Sequence, residues 1–203
     1  MSKCRPCVAF RHFLVLALLL SGCGQQKAAM TKTIRHQSLP FTVVSMKDTM
    51  ADVSSAATFT WARGMREIHS DPHQNKAPDK DALENAIINS LRKKGYEYTW
   101  RASLGDLRVG YTVVMNDALS DQEINDRYGI QPSLSLPAPD AARYDKGTLV
   151  IDIIDAKTGR TAWRSALQGY ADLKISREER QDRLDDMIMF MLARFPARGG
   201  VAY

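Results

Sequence analysis

Cysteine is scarce in this chain: three in 203 residues, at positions 4, 7 and 23. Beyond residue 23 there is no partner for a disulfide and no thiolate for a metal. Long apolar runs are scarce too. The run Phe13–Leu20 is short, against the roughly 20 residues that a membrane-spanning helix needs. No glycine-rich phosphate loop, dinucleotide fingerprint or G-x-S-x-G nucleophile motif occurs, which removes the sequence basis for nucleotide-binding and serine-hydrolase chemistry. What remains is ordinary for a folded chain. Hydrophobic residues make up 44% and charged residues 25%, which excludes disordered, collagen-like and coiled-coil classes. The length suits a single domain.

The first residues read as an address. Lys3, Arg5 and Arg11 precede the apolar run, no acidic residue accompanies them, and the segment closes on Leu20-Ser21-Gly22-Cys23. A basic start, a short apolar middle and small residues before a cut describe an export signal. Leu-Ser-Gly-Cys resembles the bacterial lipobox, in which the signal (residues 1–22) is cut between Gly22 and Cys23 and the cysteine is acylated. Gly24 in place of Asp favours, by resemblance to Gram-negative sorting signals, the inner leaflet of the outer membrane, facing the periplasm. The expected partner is thus a membrane, held through lipid at Cys23. Cys4 and Cys7 leave with the signal. So do three cations, and the excess of 28 basic over 23 acidic residues falls from +5 to +2. That balance does not suit nucleic acid.

Residues 23–40 carry no apolar periodicity and read as a tether, followed by one domain over 41–197 and a tail, 198–203. Strands are expected at 41–46 and 56–62, with a loop over 63–79. Asp81 and Glu84 have capping-box spacing, Leu83, Ile87 and Leu91 mark one face, and Gly95 ends the helix. Tyr96–Arg101 reads as a strand. Asp106–Met115 alternates with a period of two. Residues 116–146 form a long excursion with a helical turn near Asp121–Tyr128. Gly147–Ala171 is a hairpin turning at Asp155–Gly159. A last helix opens with Ser176 and Glu179, carries Leu184, Met187, Ile188, Met191 and Leu192, and stops at Phe195-Pro196. The expected class is α+β, a two-layer sandwich with a mainly antiparallel sheet of about five strands and two helices on one face.

Gly147-Thr-Leu-Val-Ile-Asp-Ile-Ile-Asp-Ala-Lys-Thr-Gly159, then Trp163-Arg164 and Phe195-Pro196, resemble the bacterial lipoprotein family called domain of unknown function 4136. Phe59-Thr-Trp61, Lys94-Gly-Tyr96 and Asp106-Leu-Arg-Val-Gly-Tyr111 match as well. Ser165 stands where the family commonly has Gly. The resemblance implies a cell-envelope lipoprotein and brings no catalytic residue, metal or cofactor with it.

The remaining chemistry-bearing residues are weak as sites. His69 and His73 have helical metal spacing, but Pro72 lies between them. Asp117, Asp121, Glu123 and Asp126 lack the alternation of a calcium loop. Asp152 and Asp155 fall on a strand and in its turn. Trp61, Trp100 and Trp163 are expected in the core; the functional alternative is an aromatic ligand groove of Trp61 and Trp163, with Arg164 fixing an anion. Met189 and Phe190 fall off the buried face of the last helix and mark an apolar surface. The expectation is a non-enzymatic binding or assembly module with envelope protein partners, the alternatives being a small-ligand carrier and, behind it, a hydrolase.

Overall fold

The computed structural model describes residues 39–70, 79–115, 118–134, 143–172 and 174–200. The export signal, Cys23, nearly all of the tether, His73, Asp117 and the last three residues lie outside the described residues. The chain runs β1 (Phe41–Lys47), β2 (Thr58–His69), α1 (Lys80–Lys93), β3 (Glu97–Tyr98), β4 (Leu107–Met115), α2 (Asp121–Tyr128), β5 (Tyr144–Asp155), β6 (Thr161–Asp172) and α3 (Arg177–Met191). It is an α+β fold built on one six-stranded sheet in the order β1-β6-β5-β4-β2-β3.

The sheet is mixed. β1, β6, β5 and β4 are antiparallel neighbours, whereas β2 runs parallel to both β4 and β3. The reason is α1, which carries the chain back along the sheet after β2, so the strands that follow start from the same end. The count is six, one more than about five, because the short segment after α1 joins the sheet as the two-residue edge strand β3. The expected loop over 63–79 begins too early: β2 continues to His69 past a register shift between Trp61 and Arg66, where Gly64 takes a positive φ of 72°. Glycine suits a bulge of this kind because no Cβ opposes that backbone.

Two apolar layers cover the sheet. On one face, Val109, Tyr111, Ile151, Ile153 and Trp163 pack against Ile87 and Leu91 of α1 and Ile188 and Met191 of α3. This is the expected helix layer. On the other face, Val114, Val150 and Ala166 pack against Ile124 and Tyr128 of α2, and against Ile130. The excursion after β4 therefore contains a third helix on the side expected to be bare. Double coverage explains why Thr148 to Ile154 are all buried: a strand covered on both faces needs a nearly continuous apolar run. Each fully buried Ile or Leu contributes about 1.5–3 kcal/mol.

Two segments distant in sequence, Lys94–Tyr96 and Phe195–Pro196, meet in space. Lys94 Nζ donates to the Phe195 carbonyl at 2.7 Å and Tyr96 Oη to that of Pro196 at 3.2 Å, while the Tyr96 and Phe195 rings lie 5.5 Å apart. Gly95 turns the chain there with φ 91°. At the start of β2, one Asp106 carboxylate oxygen accepts from Ala57 N, Thr58 N and Thr58 Oγ1 at 2.8–2.9 Å. Those backbone donors hold the carboxyl below the usual range and pin β2 to β4. Among the described residues no helix is long and apolar enough to cross a membrane.

Candidate functional site

A cavity of about 570 Å³ opens between the sheet and the N-terminal halves of α1 and α3. Its floor follows a register row across four strands, of which Met115, Gly147 and Gly169 line the cavity. Met115, Gly147, Gly169 and Phe41 are successive register partners on β4, β5, β6 and β1. The two central residues of that row have no side chain, which lets their neighbours close over them. The space is already used: a Cβ on Gly147 would meet Met115 Sδ at 3.0 Å, and one on Gly169 would meet Phe41 Cβ at 3.0 Å. Leu83, Leu149, Leu167, Leu184 and Met187 complete an apolar lining.

The rim is cationic. α3 turns Arg177, Arg180 and Arg183 toward the cleft ahead of Leu184 and Met187, a stripe at steps of three and four along one helix face. Arg177 reaches Asp79 at 3.2 Å between two exposed side chains; such a pair contributes little. Asp79 also caps α1 by accepting from Ala82 N at 3.0 Å, and that bond, with smaller help from Arg177, lowers its carboxyl. Arg183 donates to the Tyr170 carbonyl at 3.2 Å; burial pulls it below its ordinary value, yet a guanidinium stays charged. Asp172 is held low by the bidentate Arg143. Among the described residues Arg180 has no ion pair. The helix ends offer no further anion donors, since Ser176 and Glu179 form a reciprocal capping box at α3. The cleft can therefore hold an apolar body with an anionic end.

A second cavity of about 440 Å³ lies at the other end of the sheet, beside the 49–54 loop, Phe195 and Gly199. Trp163 lines it, and its buried Nε1 has no acceptor among the described residues.

A family model for a domain of unknown function, DUF4136, matches residues 43–197. The chain belongs to that family. A DUF4136 family protein from Bacteroides thetaiotaomicron is similar in structure, with 12% identity, 74% of this chain and 95% of that one covered, and a TM-score of 0.48. A PelC dodecamer from Paraburkholderia phytofirmans is similar at 10% identity, 78% and 99% coverage and a TM-score of 0.47. A DUF330 protein from Xanthomonas campestris follows at 14%, 72%, 85% and 0.32. No curated protein matches the chain significantly.

In this DUF4136 domain the three residues of the expected aromatic groove are not brought together. Trp61 and Trp163 lie on the α1/α3 face in one row, separated by Val109 and Ile153. Arg164 is on the opposite face, ion-paired to Asp152 and donating to the Tyr128 carbonyl at 2.6 Å. Its charge serves the packing of α2. Trp100 is not a core residue: it follows the short β3 at a bend and is 77% exposed, under the Arg101 guanidinium. Ser165 is fully buried and shares a 2.8 Å hydroxyl bond with Ser45 of β1.

The other chemistry-bearing residues have structural work. Asp155 accepts from Lys157 N and Thr158 Oγ1 in the hairpin turn. Asp121 binds Lys146 and Gln168, Glu123 closes the α2 capping box and Asp126 takes Gln122. His69 pairs with Glu67 at 3.0 Å. Among the described residues no three metal-ligating side chains converge. The cleft residues were missed because five elements supply them; the legible trace was Gly147 and Gly169, two glycines at inward positions of β5 and β6.

Proposed function

We propose that this protein is a lipid-anchored envelope lipoprotein, held through Cys23 at the periplasmic face of the outer membrane, where it acts as a non-enzymatic binding module. The observation that carries the binding reading is the cleft: an apolar lining ends at a guanidinium rim, and a few convergent charges on an apolar cavity are what small-molecule sites use for orientation. The lining does not come from the aromatic groove, so the carrier reading moves from Trp61 and Trp163 to Leu83, Leu184 and Met187. Acid–base chemistry gains no support there, because each carboxylate at the rim is engaged by an arginine or a helix cap.

An assembly role is the second reading. Met189 and Phe190 on α3 are about half exposed, and Val44 and Met46 lie exposed on the edge strand β1. Crosslinking in intact envelopes, with the captured proteins identified by mass, tests it; capture of no protein counts against it.

The anchor is tested by Cys23→Ser. The expected variant keeps an unlipidated mass and moves from the membrane to the soluble periplasmic fraction. An unchanged mass and unchanged membrane fractionation refute the anchor.

A further inference from the structure

We infer that the cleft takes the acyl chain of a single-chain anionic phospholipid, with the headgroup phosphate held at the rim by Arg177 and Arg180. The inference rests on the proposed membrane anchor, which keeps the cleft close to a bilayer. Three observations carry it.

The first is shape. The cavity, about 570 Å³, sits inside the roughly 300–1,000 Å³ range of small-ligand sites. It holds one long hydrocarbon chain, and two would overfill it. Gly147 and Gly169 line it from the sheet, and Leu83 of α1 with Leu184 and Met187 of α3 supply apolar walls.

The second is charge. The α3 stripe passes from Arg177, Arg180 and Arg183 to Leu184 and Met187. That order matches an amphiphile with a negative head and an apolar tail. Arg183 is spent on the Tyr170 carbonyl, while Arg177 has a weak exposed partner in Asp79 and Arg180 has no ion pair among the described residues. These two guanidiniums are the ones available to a phosphate.

The third is placement. Phe41 is the first residue of β1 and belongs to the floor row through Gly169, so the chain arriving from Cys23 joins the sheet at the cleft end. Residues 24–40 reach at most about 60 Å when extended, which bounds the distance of that end from the surface that supplies the lipid.

The test uses the full chain in its own cells, grown on a photoreactive fatty acid that enters phospholipids. After irradiation, adducts are expected on peptides carrying Leu83, Met115 or Leu184 to Met187. Ala82→Trp, which fills the mouth while leaving the backbone N–H that Asp79 caps, lowers them about tenfold or more. In native mass spectrometry of the purified full chain, lysophosphatidylglycerol binds and lysophosphatidylcholine binds more weakly. Arg180→Glu removes that preference, a change of about tenfold, and it keeps the fold because acidic residues near a helix N-terminus are favourable. Adducts confined to exposed residues such as Met50 and Trp100, cleft adducts indifferent to Ala82→Trp, or equal binding of both headgroups overturns the inference. The same digest reads acylation of the Cys23 peptide, so an acylated Cys23 with an unlabelled cleft sinks the lipid site and leaves the anchor standing. A labelled cleft with an unacylated Cys23 sinks the anchor.

Discussion

Asp152 and Arg164 face each other across β5 and β6 on the sheet surface turned away from α1 and α3. The Asp152 side chain is only 5% exposed. The same guanidinium bonds the last carbonyl of α2, at Tyr128, and lies 5.5 Å from the Tyr128 ring centre. One cation thus neutralises a buried carboxylate and holds a helix against the sheet.

Arg164→Ala leaves Asp152 buried without a counter-charge. The expected cost is about 3–5 kcal/mol in urea unfolding. The double variant Asp152→Leu with Arg164→Met replaces the pair by apolar side chains and is expected to lie closer to the parent than Arg164→Ala does. A double variant as weak as the single one means that the bond to Tyr128, and not the ion pair, is what matters.

Asp106 has its carboxyl held low by the backbone of Ala57 and the Thr58 groups. A folded value below the unfolded one, about 3.9, makes the contribution fully present above that value. It is lost as pH falls through the folded value. Asp106→Asn is therefore expected to be less stable than the parent at pH 7 by about 1 kcal/mol, after discounting for exposure. The gap narrows as pH is lowered from 5 to below 3, and paired unfolding curves across that range measure it.

Trp163 is 4% exposed and its indole N–H has no acceptor among the described residues. Trp163→Phe removes an unsatisfied donor together with some volume, and the two effects oppose each other. The expected change is within about 1 kcal/mol, whereas Trp163→Ala costs about 3–5 kcal/mol. Thermal unfolding of the two variants separates them.

Trp100, exposed on its bend, contributes little. Trp100→Ser is expected to move stability by less than about 0.5 kcal/mol, and a larger loss in the same unfolding assay contradicts its placement outside the core.

The helices α1 and α3 and the β5–β6 hairpin were readable because their own residues carry the period and the caps. Asp79 and Ser176, as it turns out, supply the cap bonds; the box expected at Asp81 lay two residues late. The second half of β2 was hidden, because Arg63-Gly64-Met65-Arg66 interrupts its alternation and its partner β4 is distant in sequence. The residues of α2 were legible as a helical turn near Asp121–Tyr128, but only Ile124 and Tyr128 are buried in it, too few to reveal which face of the sheet it covers. Yet Leu149-Val150-Ile151 already implied a strand covered on both sides. The cleft was invisible for a different reason. Its chemistry is an arrangement of ordinary leucines and arginines brought together by register, and no local pattern encodes that.

The edge position of β1 has a mechanical consequence. Any drag on a domain held by its N-terminus enters at residue 40 and is carried first by the β1–β6 ladder, from Phe41↔Gly169 to Lys47↔Trp163. The Ser45–Ser165 hydroxyl bond lies at the middle of that ladder. The Phe41 ring also meets that of Phe190 on α3 at 5.4 Å, so the first residue of the strand passes load to the helix layer as well as to the sheet.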